Sequence, residues 1–162
     1  MGVARLALLA LLVPLVVAVG PAAARPACTP GLKTANGVTE RTFCGPAKAT
    51  VHYGGKTFVF SGGDCQKTST YVAVNIGTVV LGTTSKPKPN YFGLDVGRLP
   101  GSTGKPAAKD GSYPAVALAL DYGGKGYLAT GVTVVLSGNR THGTLSGTAL
   151  GTSGNLTGTF SC

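Results

Sequence analysis

The chain has 162 residues and carries 14 Lys or Arg against 5 Asp or Glu, a formal net charge of +9. This length corresponds to one domain, and the excess of positive charge favours an anionic partner. The lysines are dispersed, without a basic run or a basic helix, so the composition does not indicate a nucleic-acid-binding protein and is also compatible with a charge that serves solubility alone.

The first 24 residues, MGVARLALLALLVPLVVAVGPAAA, have the three parts of a secretory signal peptide. Arg5 supplies the positive region, Leu6 to Val19 the apolar run, and Ala22 to Ala24 the small residues that a signal peptidase accepts. The alternative is a membrane anchor, but the run is shorter than the about 20 residues that span a bilayer, and Pro14 interrupts it. Cleavage before Arg25 leaves 138 of the 162 residues and lowers the net charge to +8. We therefore predict a secreted protein.

Residues 25–47 are predicted as an irregular N-terminal arm that is held in place through its cysteines. Four cysteines remain after cleavage, an even number in an oxidising compartment, so we predict two disulfides among Cys28, Cys44, Cys65 and Cys162. Four cysteines allow three connectivities, and their spacing does not choose among these. A zinc site is the alternative, but no pair has Cys-x2–4-Cys spacing, and His52 and His142 are not grouped with the cysteines. No metal or other cofactor is predicted.

Residues 48–162 consist of short runs of β-branched and aromatic residues separated by glycine. Thr and Val alternate with smaller residues in GVTVVLSG and HGTLSGTAL, which is typical of a sheet with one solvated face. We predict a single all-β domain, an antiparallel β-sandwich or half-open barrel stapled by disulfides. The predicted strands cover residues 48–53, 56–60, 71–77, 78–82, 91–97, 113–122, 131–138, 142–150 and 155–162.

The stretch GGKTFVF, which begins at Gly54, contains the Gly-Lys-Thr that ends a nucleotide-binding phosphate loop. The full motif needs a glycine five positions before Gly55, where this chain has Thr50, and a helix after the lysine, where this chain has a strand pattern. A two-residue hairpin turn explains the glycines better, and the same YGGK recurs at residues 122–125 between two further β runs. Nucleotide binding is therefore not predicted.

The sequence contains no recognisable catalytic motif. A serine hydrolase needs a histidine beside a nucleophilic serine and an aspartate, and no Gly-x-Ser-x-Gly elbow is present. A glycosidase needs two carboxylates at one bond, but Glu40 is the only glutamate and the aspartates stand singly in turn-like surroundings. We predict a non-catalytic protein, with a small secreted hydrolase as the least favoured alternative.

The stretch KATVHYGGKTFVFSGGDCQKTSTYVAVNIG, residues 48–77, resembles the core of the mycobacterial nineteen-kilodalton surface lipoprotein antigen family. KDGSY, GVTVVLSG and the final TGTFSC are similar in order and position, so the resemblance covers about residues 48–162. It implies a compact β domain at or beyond the cell envelope, without known catalysis. It also implies that Cys65 pairs with Cys162, which leaves Cys28 to pair with Cys44.

The resemblance does not extend to the lipid anchor of that family. Family members carry a lipobox cysteine with an aliphatic residue three positions before it. In this chain Arg25 stands three positions before Cys28, after the Ala-Ala-Ala cleavage site. Acylation of Cys28 would also leave Cys44 without a partner.

Two non-catalytic functions remain open. The first, which the resemblance implies, is a secreted or envelope-associated surface domain that interacts with other molecules. The second is a module that binds carbohydrate or an anionic wall polymer, for which the six Tyr and the positive charge are permissive and the lack of Trp is unfavourable. Lipid head groups are a further anionic partner, through which the protein would associate peripherally with the envelope.

The segment TSKPKPNYFG, residues 84–93, is the predicted place for such a ligand. Pro87 and Pro89 bias it toward extended geometry. Lys86 and Lys88 precede Tyr91 and Phe92, a mixture of cations and aromatic rings that suits an anionic or sugar-containing ligand. The alternative is a solvated linker whose aromatic residues begin the next strand.

Overall fold

The computed structural model describes residues 28–82, 88–149 and 154–162. The predicted signal peptide, residues 1–24, lies outside these ranges. None of the described residues belongs to a helix long and apolar enough to cross a bilayer. The described residues form ten strands: β1 Gly31–Ala35, β2 Val38–Phe43, β3 Ala47–Tyr53, β4 Lys56–Lys67, β5 Tyr71–Leu81, β6 Tyr91–Gly97, β7 Gly111–Tyr122, β8 Lys125–Ser137, β9 His142–Ala149 and β10 Asn155–Ser161.

Eight of these strands, β3 to β10, form a closed antiparallel barrel. Each strand pairs with the next along the chain, β10 pairs with β3, and β5 pairs with both β4 and β6, which closes the cylinder. The predicted all-β antiparallel architecture is confirmed in its barrel form. Barrel closure protects the edges that a sandwich would leave open.

The strand β5 is long enough to pair with two different strands along one of its edges. Its first part, Val72 to Asn75, pairs with the end of β4, and its second part, Gly77 to Leu81, pairs with β2. The strand β4 leaves β5 at Gly63, where an added Cβ would lie 2.3 Å from the carbonyl oxygen of Asn75. The absence of a side chain at Gly63 lets the two strands cross closely enough for the barrel to curve there.

Inward-facing side chains fill the barrel. Successive residues alternate between the interior and the surface, as in β10, where Leu156 and Phe160 are buried and Thr157 and Thr159 are exposed. An eight-stranded barrel has an interior just wide enough to be filled by side chains. Each fully buried aliphatic or aromatic side chain stabilises the fold by about 1.5 to 3 kcal/mol. The largest fully buried ones are Phe92, Ile76, Leu94, Leu136, Leu156, Val51, Val72, Val74, Val96 and Val134.

Three hairpins turn through two residues with positive φ. The φ angles are 57° and 73° at Gly54 and Gly55, 58° and 78° at Gly123 and Gly124, and 51° and 76° in the Asn36-Gly37 turn. Positive φ at both central residues is the requirement of the type I′ turn, whose twist matches that of the flanking strands. Both YGGK stretches are thus hairpin turns, and a strand follows each lysine.

The prediction of an irregular arm over residues 25–47 is wrong for residues 31–43. Gly31–Ala35 and Val38–Phe43 form a hairpin that continues the sheet from the end of β5, outside the barrel. The physical reason is the Asn36-Gly37 turn, which is a strong local hairpin signal. A second difference is that residues 71–77 and 78–82, predicted as two strands, form the one strand β5.

Both disulfides have the pairing that the resemblance implied. Cys28 is bonded to Cys44 with the Cα atoms 5.8 Å apart, and Cys65 to Cys162 with the Cα atoms 5.5 Å apart. The first bond fastens the start of the β1–β2 hairpin to the residue that follows it. The second joins β4 to the end of β10. These bonds are consistent with an extracellular or otherwise oxidising environment.

Arg140 holds together three loops at one end of the barrel. Its Nη1 donates to the carbonyl oxygens of Thr68 and Ala107. The Asp110 carboxylate accepts hydrogen bonds from the backbone N–H groups of Asn139 and Arg140. This end is therefore fixed by charge-assisted hydrogen bonds to backbone groups.

Candidate functional site

Of the four residues predicted to form one binding segment, the structure describes three, namely Lys88, Tyr91 and Phe92. Residues 83–87, including Lys86, lie outside the described ranges. Lys88 is exposed, and its Nζ lies 3.9 Å from Oδ1 of Asp121 on β7. An exposed ion pair of this kind contributes little stability.

Phe92 is buried and cannot contact a ligand, so this part of the prediction is wrong. Its side chain is fully buried, and its ring centroid lies 5.7 Å from that of Phe60 inside the barrel. The physical reason is the alternation along β6, which turns Tyr91 outward and Phe92 inward. The two aromatic residues therefore do not share a surface.

Tyr91 is half-buried on the outer wall and already has a partner. Its hydroxyl donates to Oδ1 of Asn75 at 2.7 Å. Burial raises the pKa of Tyr91 to about 12, helped by the charge of Asp95 and opposed by that of Arg41. Burial also raises the pKa of Asp95 above its ordinary 3.8. The Tyr91 side chain thus belongs to a local polar cluster rather than to a free binding surface.

A larger polar surface lies on the outer wall of β3, β10, β9 and β8. The strand registers place twelve outward-facing residues there in three rows of four, which we call the hydroxyl face. The rows are His52, Thr157, Ser146, Thr133; Thr50, Thr159, Thr144, Val135; and Lys48, Ser161, His142, Ser137. Neighbours within a row are about 4.8 Å apart, and rows are about 6.7 Å apart.

Eight of the twelve side chains are hydroxyls, and all eight are available to a ligand. Thr50 and Ser161 are partly exposed, and the other six are exposed. Among the residues that the structure describes, none of these hydroxyls takes part in a side-chain hydrogen bond. Each can therefore donate one hydrogen bond and accept up to two without breaking a bond within the protein.

Two open depressions lie on the hydroxyl face. One, of about 390 Å³, is bordered by Lys48, Thr50, His142 and Thr159 among others, and thus covers the second and third rows. The other, of about 320 Å³, is bordered by Thr133, Ser146 and Thr157 of the first row, and continues to Thr148 and Asn155. Both border β10, so they follow one another along the same strand.

The charges are unevenly divided around the barrel. The strands β3, β8, β9 and β10 contain no Asp or Glu. Four of the five acids lie on β2, β4, β6 and β7, and the fifth, Asp110, accepts its two hydrogen bonds at the end of β8. Lys48 and the two histidines remain on the hydroxyl face, so its fixed side-chain charge is positive.

The two histidines bond to threonines. His52 Nδ1 lies 3.0 Å from Oγ1 of Thr57, and His142 Nδ1 lies 2.9 Å from Oγ1 of Thr141. Neither forms an ion pair with a carboxylate of the described chain. Within the described ranges, no three His, Cys, Asp or Glu residues are grouped closely enough to hold a metal ion.

The sequence analysis missed the hydroxyl face as a site, although its signal is visible. The alternation in GVTVVLSG and HGTLSGTAL predicted one solvated face for the strands that are now β8 and β9. The neighbour relations remained hidden, because β3 joins β10 across about a hundred residues of chain. Only this pairing joins the three rows across all four strands into one surface.

No protein-family model matches this chain, and no curated protein or solved structure matches it.

Proposed function

We propose that the protein is an exported, non-catalytic surface domain that binds an anionic glycan of the cell envelope through its hydroxyl face. The observation that carries the proposal is the division of charge: the strands that present eight free hydroxyls contain no carboxylate. A polymer that bears both hydroxyls and negative charges complements this surface in hydrogen bonding and in charge.

The geometry suits an extended ligand. The two depressions follow one another along β10, and the hydroxyls around them form a regular array. Thr and Ser lose little rotamer freedom on binding, because each has a single χ angle before its hydroxyl, so each contact costs little side-chain entropy. The threonine partners of His52 and His142 support a binding role for these residues over a catalytic one.

Retention on an immobilised uronic acid polymer tests the proposal. The protein secreted by an expression host is applied to polygalacturonate and, in parallel, to neutral dextran. We expect retention on polygalacturonate only, with release by moderate salt, because exposed charges are screened within about 8 to 10 Å at 0.1 to 0.15 M ionic strength.

A matched pair of variants locates the binding surface. The change Lys48→Ala with Thr144→Val and Thr159→Val removes one cation and two hydroxyls from the face. We expect at least a fivefold loss of affinity, since an exposed ionic contact alone contributes up to about 1 kcal/mol. The control, Lys33→Ala with Thr34→Val and Thr39→Val, removes the same groups from the β1–β2 hairpin and should bind as the unchanged protein does.

Two results would contradict the proposal. Equal weakening by both variants would show that net charge, and not the hydroxyl face, governs retention. Binding to vesicles of phosphatidylglycerol without retention on polygalacturonate would replace the glycan by a lipid head group as the partner.

A further inference from the structure

A second cluster lies at the end of the barrel that carries the two Gly-Gly turns. The register of the β3–β4 hairpin places Tyr53 opposite Lys56, and that of the β7–β8 hairpin places Tyr122 opposite Lys125. Residues directly opposite in adjacent strands point to the same side of the sheet. In each pair the lysine therefore shares the orientation of its tyrosine relative to the barrel.

That orientation is inward. Ala49 and Val51 precede Tyr53 at buried alternate positions of β3, and Leu118 and Leu120 precede Tyr122 in the same way on β7. Tyr127 lies opposite the buried Leu120 and also faces inward. The three tyrosines thus face inward close to the two Gly-Gly turns.

The three rings close over a phenylalanine. The ring centroid of Phe58 lies 5.0 Å from that of Tyr122 and 5.4 Å from that of Tyr127, and Tyr53 lies 5.8 Å from Tyr127 in an edge-to-face arrangement. Phe58 is buried, whereas the three tyrosines are partly exposed. The rings therefore form an apolar floor that solvent reaches from one side.

Two lysines flank this floor, each directly opposite one of its tyrosines in the strand register. Lys56 and Lys125 are exposed and follow the two turns directly. Neither forms an ion pair in the part of the chain that the structure describes, and Asp121, which lies one position before Tyr122, instead faces Lys88. The hydroxyls of Tyr122 and Tyr127 likewise hydrogen-bond to no other described residue.

We infer that this tyrosine mouth, formed by Tyr53, Phe58, Tyr122, Tyr127, Lys56 and Lys125, binds a single pyranose ring that carries a negative charge. The apolar face of the sugar ring packs on the tyrosine rings, and a carboxylate or phosphate group on the ring lies between the two ammonium groups. Mouths of barrels are frequent sites for small ligands. The site is independent of the hydroxyl face, which lies on the outer wall.

Tyrosine fluorescence provides a direct test, because the chain has six Tyr and no Trp, and three of the six tyrosines lie in the mouth. Glucuronate, glucose 6-phosphate, glucose and inorganic phosphate are titrated separately at constant ionic strength. We expect a saturable change with glucuronate, with glucose 6-phosphate or with both, and these two arms identify the anionic group. Glucose and inorganic phosphate should produce no saturable change, since glucose lacks the negative charge and phosphate lacks the sugar ring.

Variants assign the effect to the mouth. Lys56→Gln with Lys125→Gln keeps two polar side chains without their charges and should weaken binding at least about tenfold, because both charge contacts are lost. Lys33→Gln with Lys109→Gln removes the same net charge at exposed positions outside both candidate sites and should leave the titration unchanged. Chemical shifts of the Gly54, Gly55, Gly123 and Gly124 amides provide a second readout in the unchanged protein.

The inference is overturned if neither charged sugar gives a saturable change, if glucose binds as tightly as glucuronate, or if the Lys56 and Lys125 variant binds unchanged. The variants of the hydroxyl face should keep this titration intact. Failure of the polymer experiment and failure of the sugar titration are therefore distinguishable.

Discussion

Glycine fixes the path of the chain where any side chain would meet backbone, as at Gly63 and Gly77. An added Cβ at Gly63 would lie 2.3 Å from the Asn75 oxygen, and one at Gly77 would lie 2.2 Å from the Asn90 oxygen. Backbone cannot yield as a flexible side chain does, so a methyl group at either position forces the strands apart, at a cost of about 1 to 3 kcal/mol. At Gly77 the φ of 88° adds strain for any other residue.

Asp95 should destabilise the protein at neutral pH. Its folded-state pKa is raised by burial, so the folded protein holds this proton more tightly than the unfolded chain does. The tightly held proton contributes stability to the folded state. This contribution is complete below the ordinary pKa of 3.8 and is lost as the pH rises through the folded-state pKa. At about pH 7 we therefore expect Asp95→Asn to be more stable than the unchanged protein. The difference in stability between the two should shrink at about pH 3.

Urea midpoints at the two pH values measure this difference. Asp64→Asn on β4, which is separated from β6 by β5, is the matched control, because Asp64 is exposed. It should change the midpoint little at either pH. A lower midpoint for Asp95→Asn at neutral pH would show that the ionised carboxylate makes a favourable contact.

At the scale of single elements, the hairpins show what local sequence determines. Alternation and the Gly-Gly pairs predicted the β3–β4 and β7–β8 hairpins, because turn geometry depends on residues adjacent in sequence. The β1–β2 hairpin was missed although Asn36-Gly37 marks it. Its strands GLKTA and VTERTF carry few apolar residues, since the hairpin lies outside the barrel and buries little.

The three turns allow a comparison within one chain. Asn36 has a φ of 51° and Gly54 a φ of 57° at the same turn position. We expect Gly54→Asn to be neutral or to stabilise the protein by about 0.5 kcal/mol, because asparagine tolerates this conformation and restricts the unfolded chain. Gly54→Val should lower the stability by about 1 kcal/mol or more, since a β-branched residue is strained there.

Chemical denaturation of both variants tests the turn assignment. An added Cβ at Gly54 would contact nothing, so steric clashes do not affect either variant. The two variants therefore differ in how well their side chains tolerate the positive φ. Similar losses for asparagine and valine would show that the backbone at this position does not require positive φ. Neither substitution should create or remove affinity for a nucleotide.

At the scale of the whole molecule, the sequence predicted an all-β chain but not how the sheet closes. Closure depends on two pairings, β10 with β3 and β5 with β6. The first joins segments about a hundred residues apart, and no local pattern reports such a contact. The same pairing assembles the hydroxyl face, and the convergence of two distant hairpins assembles the tyrosine mouth. Both candidate sites are therefore properties of the tertiary structure, whereas the segment 84–93 stood out in sequence because its residues are adjacent.

The two disulfides should differ in the part of the structure that they stabilise. Cys28 and Cys44 are 16 residues apart, whereas Cys65 and Cys162 are 97 residues apart and join two barrel strands. On the chain-entropy model, the bonds stabilise the folded state by up to about 3 and about 4.7 kcal/mol, respectively. The short bond restrains a hairpin outside the barrel, so its loss should release β1 and β2 and leave β3 to β10 paired.

Hydrogen exchange on two double variants measures this difference. In Cys28→Ser with Cys44→Ser, amides of β1 and β2 should lose protection while those of β9 and β10 keep it. In Cys65→Ser with Cys162→Ser, protection should fall throughout the barrel and the global unfolding midpoint should drop further. The barrel amides report global unfolding because their strands close on one another, so no strand of the cylinder can open alone without breaking two ladders. A larger global loss in the first variant than in the second would mean that the β1–β2 hairpin is an integral part of the barrel's folding unit.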